Sequence, residues 1–170
     1  MTFWDIFKNK NISSTSRLSG LHEKLSSELP NAAEDELIEI ACIAGLLARV
    51  AYVDFDIDTR EIYSMKNILL EWTDLPDKDI DAIVHLAIEE IKELAGLENH
   101  KYCHPLNDIL SNDQKYGLLK ALFAVAASDH HVEQIENEEI RVICRGLRLQ
   151  HNYYVSARAS VLEKLGALKK

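Results

Sequence analysis

Apolar residues recur at helical spacing through most of the chain, and nowhere do they alternate strictly enough to make a strand. Between residues 35 and 53, Leu37, Ile40, Ala41, Ala44, Leu47, Ala48 and Ala51 fall on one helical face, the signature of a period near 3.6. The small residues among them predict close packing against a neighbouring helix. A second helix is predicted over 58–72, with Ile62, Met65, Ile68, Leu69 and Trp72 inward. The cleanest stripe runs over 77–95, where Ile80, Ile83, Val84, Ala87, Ile88, Ile91 and Leu94 oppose acidic residues. Ser111 and Gln114 make a capping box that opens a helix through 127. Helices over 134–147 and 152–167 complete the pattern, with shorter ones at 20–29, closed by Pro30, and at 105–110. The expected fold is all-α, a compact bundle of about seven helices.

The first 30 residues read differently from the rest. Phe3, Trp4, Ile6 and Phe7 form one amphipathic turn, and residues 11–20, NISSTSRLSG, read as a polar linker before the first short helix. Residues 31–170 make the helical domain. Phe3, Trp4 and Phe7 are candidates for a partner or dimer contact, or they tuck onto the domain's own core.

Two segments of the helical domain match each other. VAYVDFDIDTRE, residues 50–61, aligns with VAASDHHVEQIE, residues 125–136. Asp54 pairs with Asp129, Ile57 with Val132 and Glu61 with Glu136, and 129 − 54, 132 − 57 and 136 − 61 all equal 75. The same offset joins Leu47 to Leu122, Met65 to Ile140, Ile68 to Ile143 and Leu69 to Cys144. Each unit is an apolar helix, a loop opening on Asp, one inward aliphatic residue, and a helix with Glu in its first turn. Two such helix–acidic loop–helix units can pack face to face as a pseudo-symmetric bundle.

A helix ending in Ala-x-x-Asp, with an aliphatic residue three positions on and Glu seven positions on, resembles the TerB-like (tellurite-resistance protein B) family. That family carries Ala-Asp-Gly-x-Ile/Val-x-x-x-Glu twice in an all-helical fold, and the match covers residues 37–150. The resemblance implies a role near stress response or the cell envelope through partner proteins, and an association with metal. One departure stands out: the family's Gly after Asp is Phe55 in the first unit and His130 in the second. If that Gly serves a positive φ, Phe55 and His130 must adopt it or the loop must differ.

The loops supply the candidate chemistry. Asp54, Asp58 and Glu61 in the first, with Asp129, Glu133 and Glu136 in the second, offer carboxylate oxygens suited to calcium or magnesium. Neither is an EF-hand: counted from Asp54, position 6 is Thr59 and position 12 is Met65, and the second loop ends on Ile140. The same residues also suit helix capping, Asp58 as N-cap with Glu61 reaching back, and Glu133 with Glu136 as a weaker version. His130 and His131 in the second loop, and His100, Cys103 and His104 elsewhere, would have to converge to hold a transition metal.

Arg141, Arg145 and Arg148 fall at i, i+4 and i+7, either a solvated face paired with Glu138 or a docking stripe for an acidic or phosphorylated partner. Composition narrows the partners. The formal net charge is −9, which disfavours nucleic acid and anionic membranes. The longest uninterrupted apolar run, Ile40 to Ala48, is too short for a bilayer span, which takes about 20 residues; peripheral membrane association stays open. The three cysteines, Cys42, Cys103 and Cys144, lack CxxC spacing; Cys42 and Cys144 fall on apolar helical faces and are expected as buried thiols, and a reducing, cytoplasmic location follows. No phosphate loop, nucleophile elbow or HExxH is present. The main expectation is a non-enzymatic binding or scaffold domain acting on a protein partner or as a homodimer. The alternatives are a divalent-cation sensor or carrier using both acidic loops, and a small metal-dependent hydrolase.

Overall fold

A computed structural model describes residues 20–94 and 100–168, and the chain there is a bundle of eight α-helices. They are α1 (Gly20–Glu28), α2 (Glu34–Ala51), α3 (Thr59–Trp72), α4 (Asp77–Leu94), α5 (His100–Ile109), α6 (Asn112–Ala126), α7 (Gln134–Gly146) and α8 (His151–Leu168). A single 3-10 turn, Ala127–Asp129, follows α6. No strand occurs among the described residues. The N-terminal aromatics Phe3, Trp4 and Phe7 lie outside them.

Helix α2 is the centre of the bundle. From Leu37 to Ala51 every residue but Arg49 is buried, and the helix packs against α1, α3, α4, α5, α6 and α7. Its small residues allow that crowding. A Cβ added at Gly45 would lie 2.6 Å from the Tyr102 ring, so α5 can come this close only because position 45 has no side chain. Helices α3 and α7 are amphipathic by contrast, each burying a stripe (Met65 and Leu69; Ile140, Ile143 and Cys144) and exposing the other side. Helix α8 closes the bundle against α6 and α7.

The contacts that join α2–α3 to α6–α7 are reciprocal. Arg49 of α2 donates to Glu139 of α7 at 2.9 Å, and Ser64 of α3 donates to the carbonyl of Ala124 of α6 at 3.4 Å. Since 124 − 49 and 139 − 64 both equal 75, the two contacts exchange partners under the offset seen in the sequence.

Two expectations need correcting. The fifth helix begins at His100, not 105, so Pro105 lies inside it. At that position Pro forgoes the bond that would end on the Lys101 carbonyl. Arg148 does not continue the stripe of Arg141 and Arg145: α7 ends at Gly146, Leu147 is its C-cap, and Arg148 turns to φ 56°.

Candidate functional site: an acidic cleft

The first bend follows α2. The Phe55 N–H donates to the Tyr52 carbonyl at 3.0 Å, and Asp54 Oδ1 accepts from the Asp56 N–H at 3.0 Å. Helix α3 then opens on a capping box. Asp58 Oδ1 accepts from the Arg60 N–H at 2.7 Å, while Glu61 Oε2 reaches back to the Asp58 N–H at 2.8 Å.

The second bend, after α6, repeats three of these four bonds 75 positions on. The His130 N–H donates to the Ala127 carbonyl at 2.9 Å, Asp129 Oδ1 accepts from the His131 N–H at 2.9 Å, and Glu136 Oε2 accepts from the Glu133 N–H at 2.7 Å. Phe55 and His130 both adopt φ 69°, so each takes the left-handed conformation that the family pattern gives to Gly. For a residue with a Cβ that conformation costs roughly 1–2 kcal/mol, offset in part by the Asp side-chain bonds that close the bends.

The packing of the two units brings the bends together. Asp54, Asp56, Asp58 and Glu61 face Asp129, Glu133 and Glu136 across a cleft of about 190 Å³, with Ala126 and Ser128 at its side. All six carboxylates expected from the sequence line it. Asp56, from the same run of alternating acids as Asp54 and Asp58, is the seventh. The sequence shows Asp56 among the first loop's acids, but not the meeting of the two bends, which depends on how α3 and α7 are seated.

The electrostatics differ sharply along the wall. Glu61 and Glu136 are nearly buried, at 9% and 8% exposure, whereas the other five are open to solvent. Burial first, and then the neighbouring carboxylates, push both up to about 7; Asp129 acts on both, and Glu61 acts on Glu136. Asp58 goes the other way, held at about 2 by the Arg60 guanidinium, which grips it at 2.9 and 3.0 Å. Arg60 is the cation at the rim, and the carboxylates of Asp58, Asp129 and Glu61 raise its proton affinity further.

No group of three or more His, Cys, Asp or Glu side chains is arranged to hold a metal ion among the described residues. Asp54, Asp56, Asp58, Glu61, Asp129 and Glu136 each spend an oxygen on a backbone N–H of their own bend, and Asp58 gives its second oxygen to the Arg60 guanidinium. What remains free is the outer set of oxygens. His130 and His131 are exposed, and Cys103 is buried with its Sγ against the site of Gly146. All three cysteines are free and buried, and burial pushes the Cys42 and Cys144 thiols up and that of Cys103 to about 12, so none is a ready nucleophile. Arg141 pairs with Glu138 at 2.6 Å and Arg145 is exposed beyond it, both on α7 and outside the cleft.

A family model described as tellurite resistance protein TerB matches residues 39–159, a span that includes both bends and all seven carboxylates. Neither the curated proteins nor the solved structures give a match.

Proposed function

The chain belongs to the TerB family, and from that premise we propose that it is a non-enzymatic binding module whose acidic cleft takes a hydrated divalent cation, magnesium or calcium. The observation that carries this reading is the convergence of seven carboxylates, from bends 75 residues apart, on one small cleft. Oxygen ligands of this kind suit hard cations. At roughly 30 Å³ per water, a cleft of about 190 Å³ has room for an ion with several waters. The free outer oxygens of Asp54 and Asp129 would meet that shell, and the ion would offset the repulsion that neighbouring carboxylates exert on Glu61 and Glu136.

A protein partner is the second part of the proposal. Phe55, 70% exposed beside the Tyr52 ring, and Ile135, 45% exposed next to Glu136, give the acidic bends an apolar rim. An acidic centre with an apolar edge fits a basic, partly apolar segment of another protein. A link to stress response rests on family membership alone.

Calorimetry on chelator-treated protein tests the cation reading. Magnesium, calcium, manganese and zinc would be titrated into the native chain and into Asp54→Asn and Asp129→Asn, which keep an oxygen for the bend but lose its charge. Saturable heat in the native chain, weakened in both variants, is expected. No heat and no change in melting temperature at millimolar ion would remove the cation and leave the cleft to a basic side chain of a partner.

A further inference from the structure

At the far end of α7 from the acidic cleft, the chemistry reverses. We propose that the corner where α7 ends against α5 and α6 is an oxyanion site, in which Lys115, Arg145 and Arg148 hold a phosphate group.

The corner is built by hydrogen bonds. Lys115 of α6 is buried, at 6% exposure, and its ammonium donates to the Asn107 carbonyl at the end of α5, at 3.5 Å. Asn107 in turn donates through Nδ2 to the Gly146 carbonyl at 2.8 Å, at the last residue of α7. Arg148 follows two residues later and is tied to Arg145 by its N–H at 3.0 Å. The Arg148 charge acts on this ammonium, and the exposed Arg145 stands on the last turn of α7 just before it, so three cationic residues share one corner.

These cations are not needed to cap the helix. The last carbonyls of α7 already have partners: Ile143 accepts from the Leu147 N–H, Cys144 from the Leu149 N–H, Arg145 from the Arg148 N–H, and Gly146 from Asn107. Lys115 carries three donors and uses one on a long bond. Neither Arg145 nor Arg148 forms an ion pair among the described residues. Asp108 is the acid beside Lys115, and its pull on the ammonium is outweighed by the push of burial and of Arg148. The protein therefore holds like charges together with too little negative charge between them.

Arg148 holds φ 56° just past a helix end, where Gly is the usual occupant. A phosphate dianion offsets two of the charges at once, and its paired oxygens match the planar fork of Arg. A single carboxylate does neither as fully.

Thermal melting and calorimetry with inorganic phosphate, against chloride at matched ionic strength, test the site. Phosphate is expected to raise the melting temperature of the native chain and to bind saturably. Arg148→Gly relaxes the backbone, so the variant should melt higher than the native chain in chloride, yet bind phosphate roughly tenfold more weakly or worse. Arg145→Gln, at an exposed position, should weaken binding without loss of fold. O-phosphoserine in place of inorganic phosphate separates the sources: tighter binding assigns a protein-borne phosphate, weaker binding a free ion. An equal phosphate response in the native chain and Arg148→Gly, or no response beyond chloride, would overturn the site.

Discussion

Single residues decide the shape of the acidic bends. Both bends need a left-handed residue directly after their leading Asp, and the chain fills that position with Phe55 and His130. The demand for a positive φ was legible in the spacing, since the family pattern has Gly there. Its fulfilment by bulky residues was not, because a sequence alone does not reveal whether a loop keeps its geometry or abandons it. His130→Gly should therefore stabilise the protein by about 0.5–1 kcal/mol, the relief of strain less the extra flexibility glycine gives the unfolded chain. A higher urea midpoint with an unchanged slope is the expected result. Phe55→Gly should gain less, since it also loses the edge-on contact with the Tyr52 ring, whose centroid lies 5.7 Å away. Lys115 marks the opposite limit of sequence reading. Lysine is a surface residue by default, and nothing local distinguishes this one; its burial comes from the fit of α6 under the ends of α5 and α7.

At the scale of helices, the apolar period located nearly every element, and the three capping boxes expected at Asp58, Ser111 and Glu133 are all formed. The fifth helix was the exception, because Pro105 reads as a start when the residues before it lack a strong stripe. The small residues of α2 did announce close packing, but not the neighbour. That neighbour is α5, through the ring of Tyr102 against Gly45. Gly45→Ala should cost about 1–3 kcal/mol despite alanine's better helix propensity, because three ring carbons lie within 2.6–2.8 Å of the new Cβ. Chemical denaturation would measure the loss. In a Tyr102→Leu background the same substitution should be much milder, a coupling that separates the clash from any effect on the helix itself.

For the molecule as a whole, the cleft sets how stability depends on pH. Glu61 and Glu136 are raised to about 7, so the folded chain binds their protons more tightly than the unfolded chain does. The stabilisation they contribute is complete below about pH 4.5 and is lost as pH rises through about 7. Glu39, buried on α2 and raised to about 8 by burial and then by Glu36, acts in the same sense. Without added ions, stability should fall by on the order of 3 kcal/mol between about pH 5 and about pH 8. Urea unfolding at the two values checks it, and Glu61→Gln combined with Glu136→Gln should remove most of the fall while keeping the side-chain oxygens that cap the bends. A stability that instead rises over this range would contradict the raised proton affinity that burial and the neighbouring carboxylates give the two glutamates.

The burial of α2 also determines which parts of the protein are free to respond. A rod wedged among six others has nowhere to travel, so it serves as the axle of the assembly and not as its lever. Whatever enters between the bends must be felt first by α3 and α7, which start at the cleft and keep one side in water. Amide exchange with solvent should register this as a slow, unchanging axle flanked by two helices whose opening rates change when the cleft is filled.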